Sequence, residues 1–289
     1  MKKFAKLLAM LCTVAMMVSL FAACGSQGGG ASTTAGTTAA PGTTAAPETT
    51  AAPKKTQLVF GTSADYAPFE FHVLDGGEDK IVGFDVSLAQ KIAKDMGVEL
   101  LIKDINFDTL MGELDAGTVD MVLACIAPNE ERLKVSDFSD SYYEDKAPVM
   151  LVRKADYEKF NTAEALNGKT IAAQIGTTKE TIVAEQFPDS DPLLLTAVPD
   201  MVNNLLFNKC DAVCLDGAVA DGYVAANPDL MIADGIVLGE GDVLGVAVKK
   251  GDPQGLLESI NKTIAACLAD GSLDKWMIEA EEQSANALN

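Results

Sequence analysis

LMGELDAGTVDMVLA (110–124) and VNNLLFNKCDAVCLD (202–216) read as the same construction used twice. Each is a helical pattern that turns into an apolar run, with Asp120 and Asp211 at corresponding places just ahead of that run. The alternation extends in both directions. TQLVFGTS reads as a strand and FDVSLAQKIAKDMG as a helix, with Leu88, Ala89, Ile92 and Met96 on one face and Gly97 as its stop. VELLIKDI is a strand, NFDTLMGELDAG a helix ending near Gly117, and VDMVLACI another strand. KTIAAQIG, TTKETIVAEQF, PLLLTAV, MVNNLLFNK and DAVCLDG then repeat strand, helix, strand, helix, strand. Such alternation predicts an α/β protein of two lobes with mostly parallel sheets. Two helical segments close the chain, PQGLLESINKTIAACLADG and SLDKWMIEA. They are expected to return to the first lobe, so that two segments cross between lobes.

The start of the 289-residue chain has a different character. Lys2, Lys3 and Lys6 precede an apolar run over residues 7–20, followed by Phe21-Ala22-Ala23-Cys24. A basic start, a short apolar core and small residues form an export signal over residues 1–23, too short for an ordinary membrane span. FAAC resembles a lipobox, with Cys24 as the lipidated residue and Phe21 where Leu is commoner. Residues 24–55 are rich in Ala, Thr, Gly and Pro and lack large apolar side chains. They are expected to form a disordered tether with a reach of roughly 30 Å. Acidic residues number 42 against 22 basic ones, a formal charge of −20, which argues against nucleic acid and against anionic lipid as charge-driven partners.

Past the tether lie Cys125, Cys210, Cys214 and Cys267. Cys210 and Cys214 bracket a strand, where four residues span about 13 Å, too far for a disulfide. The Cys-x3-Cys spacing has no histidine near it, since His72, expected at the surface, is the only one; no metal site is expected. Arginine is rarer still. Arg132 and Arg153 are the only two, and a surface cation in this chain is normally Lys. Arg132 follows an apolar strand, where a planar bidentate fork has a use; Arg153, beside Lys154, reads as an ordinary surface residue.

IGTTKET offers a second anion-binding element. A strand ends, Gly176 turns, and Thr177 with Glu180 forms a capping box, leaving the N–H of Thr178 at a helix N-terminus. Ligands of open α/β sheets bind at the carboxyl ends of strands. Arg132 and Asp216 both follow strands, one in each lobe. A guanidinium, a helix N-terminus and a carboxylate around one cleft make a receptor for a zwitterion such as an α-amino acid. Tyr66, in a turn before Pro68, is the aromatic expected to face the cleft, while Phe69 and Phe71 share a face.

GTSADYAPFEF, IVGFDVSLAQKIAKDMG, ERLKVSDFSDSYYED and IGTTKET resemble the amino-acid-binding extracytoplasmic receptors of ABC importers, over residues 56–276. The resemblance implies a type II periplasmic-binding-protein-like fold: two Rossmann-like lobes joined by a two-strand hinge. Lobe 1 would take residues 56–142 and 245–289, lobe 2 residues 147–241, with hinges near 142–146 and 242–244. It implies a lipid-anchored, monomeric capture protein outside the membrane that delivers an amino acid to a permease, without cofactor, metal or catalytic residues. Residue by residue, it implies that Arg132 clamps the ligand carboxylate with the Thr178 N–H. Asp216 and the Cys125 carbonyl would accept from its ammonium, and Tyr66 and Phe107 would wall its side chain. Thr177, Gln174, Ala127 and Ser63 complete the implied set. Ser63 stands where relatives that bind basic ligands carry Asp, and Ala127 where Ser or Thr is usual. With no obvious carboxylate in the side-chain pocket, an uncharged ligand side chain is expected, although Asp65 and Glu70 lie close by. Cys125 reads as a small buried filler rather than a reactive thiol. The competing readings are an exported dehydratase-like enzyme on the same scaffold, for which Lys179 could be a second cation, and a ligand-sensing receptor.

Overall fold

The computed structural model describes residues 56–287. The expected export signal, Cys24 and the tether lie outside these residues. The chain begins with strand β1 (Gln57–Thr62), the short β2 (Asp65–Tyr66), β3 (Glu70–Asp75), β4 (Glu78–Val82) and helix α1 (Phe84–Met96). Then come β5 (Glu99–Asp104), α2 (Phe107–Ala116), β6 (Met121–Val122), α3 (Arg132–Val135), β7 (Ser136–Phe138) and β8 (Tyr143–Glu144). The middle of the chain forms β9 (Val149–Arg153), α4 (Tyr157–Phe160), β10 (Thr170–Gln174), α5 (Thr178–Gln186), β11 (Asp191–Leu195), α6 (Val198–Leu206), β12 (Ala212–Leu215), α7 (Gly217–Ala226) and β13 (Leu230–Ile232). It closes with β14 (Val243–Leu244), β15 (Ala247–Lys249), α8 (Leu256–Asp270) and α9 (Ser272–Ala287).

Two five-stranded sheets are built to one plan, in the orders β5-β1-β6-β15-β7 and β11-β10-β12-β9-β13. In each, three parallel strands continue into two antiparallel ones. The duplicated stretch accounts for the match. Asp120 takes the Val59 N–H on a carboxylate oxygen at 2.7 Å, while its own N–H reaches the Val59 carbonyl. Asp211 does the same to Thr170, at 3.1 Å and 2.8 Å. Each aspartate thus ties the start of the third parallel strand to the first by satisfying backbone groups that the short ladder leaves over.

The helices form where the sequence places them. α1 buries Phe84, Leu88, Ala89 and Ile92 on its core face. It stops where Gly97, at φ 67°, folds its N–H back onto the last turn, as Gly117 does for α2 at φ 76°. α8 packs on α1, so the tail does return to the first sheet, and α9 touches both α1 and α7. β8 and β14 pair antiparallel where the chain passes between the two sheets. No helix among the described residues is long and apolar enough to cross a membrane.

Three expectations need correction. Only Met121 and Val122 of VDMVLACI enter the ladder. Cys125 sits at φ 47°, in the left-handed region, with its N–H held by the buried Asp85 carboxylate at 2.9 Å, and this turn ends the strand. Arg153 is not an ordinary surface residue. Its side chain is 12% exposed, and its guanidinium donates to the carbonyls of Leu205 and Cys210 and to Asp156, closing the loop before β12. Tyr66 does line the cleft, but it is buried there rather than exposed, because the second lobe covers it. His72 is at the surface, between Asp79 and Asp104.

Candidate ligand-binding site

The carboxyl ends of the parallel strands in both sheets converge. Ser63 follows β1, Cys125 lies three residues past β6, Gln174 ends β10 and Asp216 follows β12. They surround a cavity lined also by Tyr66, Phe107, Arg132, Thr177 and Thr178. Every expected site residue among the described ones reaches its wall except Ala127, which lies behind Arg132. A hydroxyl at that position would extend from the backbone, whereas the alanine methyl is simply buried.

Arg132 opens the short α3, its N–H capped by the Asn129 side chain at 2.8 Å. Its guanidinium donates to the Ala127 carbonyl at 2.8 Å and, from the other sheet's side, to the Gly176 carbonyl at 3.1 Å. Its carbon lies 5.3 Å from the centre of the Phe107 ring. These partners are neutral, and among the described residues no carboxylate forms an ion pair with Arg132. A buried cation with dipoles but no anion is suited to a ligand carboxylate. Facing it is the N-terminus of α5. Thr177 caps that helix through the Glu180 N–H at 3.3 Å, while the Glu180 carboxylate returns to Gly176 N–H at 2.7 Å, one residue earlier than a standard capping box.

Opposite charges gather across the cavity. Asp216 accepts from the Tyr66 hydroxyl at 2.6 Å and pairs with Lys179 at 2.5 Å through one oxygen, while its other oxygen is buried without a partner. Lys179 also reaches Asp242, at 3.4 Å, and Asp242 accepts from the Thr178 hydroxyl at 2.9 Å. Burial works against the Lys179 charge, but the Asp216 and Asp242 carboxylates carry its pKa above the ordinary lysine value. Burial, and next the Asp216 charge, pushes Asp145 up to about 7. Burial and the same carboxylates hold the Cys125 thiol well above its usual pKa, so it is a neutral filler at pH 7. Cys125, Asp145 and Asp216 place donor atoms within 4.8 Å of one another, a spacing open to a metal ion. The Lys179 ammonium already supplies the positive charge on Asp216.

Glu70 departs most from expectation. It heads β3, lines the cavity and is fully buried; no N–H or O–H donates to its carboxylate, and the Asp85 carboxyl lies within hydrogen-bonding reach, able to share a proton with it. Burial, then the Asp85 and Asp65 charges, raises its pKa well above the carboxylate range. Glu70, Lys179 and Asp242 carry no role in the sequence reading of the ligand contacts. The FEF triplet held a usable signal, a carboxylate between two buried aromatic residues.

The model of the bacterial extracellular solute-binding proteins, family 3, matches residues 58–279. The chain belongs to this family. It is similar to the arginine-binding extracellular protein ArtP of Bacillus subtilis, with 35% identity over 225 residues, covering 76% of this chain and 84% of ArtP. It is also similar to ABC transporter arginine-binding protein 1 of Escherichia coli, 33% identical across 75% of this chain and 87% of that protein. Among solved structures it matches an amino acid ABC transporter substrate-binding protein, AbpA of Streptococcus pneumoniae, bound to L-arginine. That match has a TM-score of 0.76 and 33% identity, covering 80% of this chain and 96% of AbpA. The family 3 chain therefore has the two-lobed type II fold and is the substrate-binding protein of an amino acid ABC transporter, not an enzyme. The expected uncharged ligand side chain finds no support among these relatives.

In this family 3 protein the lobes approach closely at Gly176. A Cβ there would lie 3.2 Å from the Asp108 Cα, on a residue at φ +79°. Gly176→Ala is expected to weaken ligand binding about tenfold, equivalent to ~1.4 kcal/mol, by holding the lobes apart. Calorimetric titration checks it, and unchanged affinity would contradict the closeness of this contact.

Proposed function

We propose that the protein captures an α-amino acid with a cationic side chain, of the arginine class, outside the membrane and delivers it to an ABC permease. The observation that carries this reading is Glu70: a buried carboxylate on the cavity wall, to which no N–H or O–H among the described residues donates, is completed by a guanidinium or ammonium. The names of the similar arginine-binding proteins support it. In this reading Arg132 and the Thr178 N–H take the ligand carboxylate. The free oxygen of Asp216, with the Cys125 carbonyl, takes the α-ammonium. Tyr66 and Phe107 flank the side chain, and Ser63, Gln174 and Thr177 complete the wall. Residues 56–142 with 245–289 form one lobe and 147–241 the other. They turn about the β8–β14 ladder near 142–146 and 242–244, so that ligand shifts the population toward the form in which both lobes touch it. The protein works as a monomer, exported through residues 1–23 and held by lipid on Cys24 at the end of the 24–55 tether.

A thermal-shift and calorimetric comparison of L-arginine, L-lysine, L-glutamine and L-citrulline tests the ligand class. Arginine at a hundred times its Kd is expected to stabilise the protein by about 2.7 kcal/mol. Citrulline matches arginine in shape without the charge, so equal affinity for the two would overturn the reading.

A further inference from the structure

Helix α6 has a defective N-terminus of its own. Its N-cap residue is Ala197, which has the extended backbone of a cap (φ −122°, ψ 133°) but no side chain that can accept a hydrogen bond. Pro199 removes one of the orphan donors, leaving the Val198 N–H at the helix start. That N–H donates to the Asp65 carboxylate at 2.8 Å. Asp65 lies in β2, beside the first sheet, while α6 packs on the second. The Ser63 hydroxyl holds the other Asp65 oxygen at 3.1 Å, so the carboxylate is aimed before the lobes meet.

We propose that Asp65 is a positioning residue that caps α6 from the opposite lobe, so that closure of the lobes completes this helix and slows ligand escape. The proposal rests on the receptor reading only in that closure follows capture. It separates the two carboxylates that follow Ser63. Glu70 has no donor partner and lines the cavity, whereas Asp65 is already engaged across the cleft by a backbone N–H.

The test compares Asp65→Ala with Asp65→Asn by stopped-flow dissociation, using L-arginine, L-lysine, L-histidine and L-cystine as probes. Rates are read for whichever probes bind the unaltered protein. An asparagine carbonyl can still accept from Val198, so Asp65→Asn is expected to stay within about threefold of the unaltered koff. Asp65→Ala removes the acceptor and is expected to raise koff roughly two- to thirtyfold for every probe that binds, with little change in association rate. An unchanged koff in Asp65→Ala overturns the cap. So does an Asp65→Asn protein as impaired as Asp65→Ala for cationic probes alone, which would assign Asp65 to the ligand's charge. Failure of L-arginine to bind the unaltered protein counts against the cationic-ligand reading and leaves the comparison intact on the remaining probes.

Discussion

Arg132→Ala is expected to raise the Kd for the ligand by at least about a hundredfold while leaving the protein folded. Two charge-assisted hydrogen bonds to a carboxylate contribute about 1.5–3 kcal/mol each, and 1.4 kcal/mol is tenfold. The loss of fold stability should be small, because the guanidinium has only neutral partners within the protein, the Ala127 and Gly176 carbonyls and the Phe107 face. Arg132→Lys should not rescue binding: an ammonium cannot reach two carbonyls and a carboxylate in one plane. Calorimetry with circular dichroism as the folding control checks both variants. Binding within threefold of the unaltered protein would remove the carboxylate clamp from the mechanism.

The second large effect is one of specificity. Glu70→Gln keeps the shape of the side chain and removes its charge. It should cost L-arginine about a hundredfold or more in affinity and leave L-citrulline nearly unchanged, reversing the preference of the unaltered protein. Glu70 also predicts a pH dependence. Burial raises its pKa most, followed by the charges of Asp85 on α1, Asp65 on β2 and Asp104 at the end of β5. Asp85 is itself pushed up to about 6 by burial, against the pull of the Cys125 N–H and the Tyr142 hydroxyl. Glu70 is therefore biased toward its protonated form in the protein alone and toward its ionised form beside a bound cation. The complex holds fewer protons than its separated parts, so arginine affinity rises with pH through the Glu70 titration and binding releases a proton. Calorimetry in two buffers of different ionisation heat measures that release, and Glu70→Gln should abolish it. A variant that binds arginine normally would assign the guanidinium to another carboxylate.

Much of this was legible without coordinates. Helix faces, glycine stops and the Thr177 cap depend on residues a few positions apart, so 3.6-residue spacing and cap chemistry are sufficient to read them. The duplicated helix–turn–strand stretch announced two similar sheets, and Asp120 and Asp211 turned out to do identical work in them. The position of Arg132 past a strand end was equally local. Its scarcity was a better signal than its neighbours: the same logic, applied to Arg153, would have found a second guanidinium with a structural task.

What the sequence by itself determined is where each charge leaves its own strand or helix, because that follows from short-range periodicity. What only the tertiary structure decided is which charges are answered. Lys179 neutralises Asp216, the Val198 N–H answers Asp65, and Glu70 is left buried without a donor among the described residues. Those two pairings join residues 37 and 133 positions apart, and Glu70 is denied a donor. A carboxylate in low dielectric takes its meaning from the atoms within a few ångströms of it. That is why Glu70, in the sequence only a carboxylate near Ser63, became the group that argues for a cationic ligand.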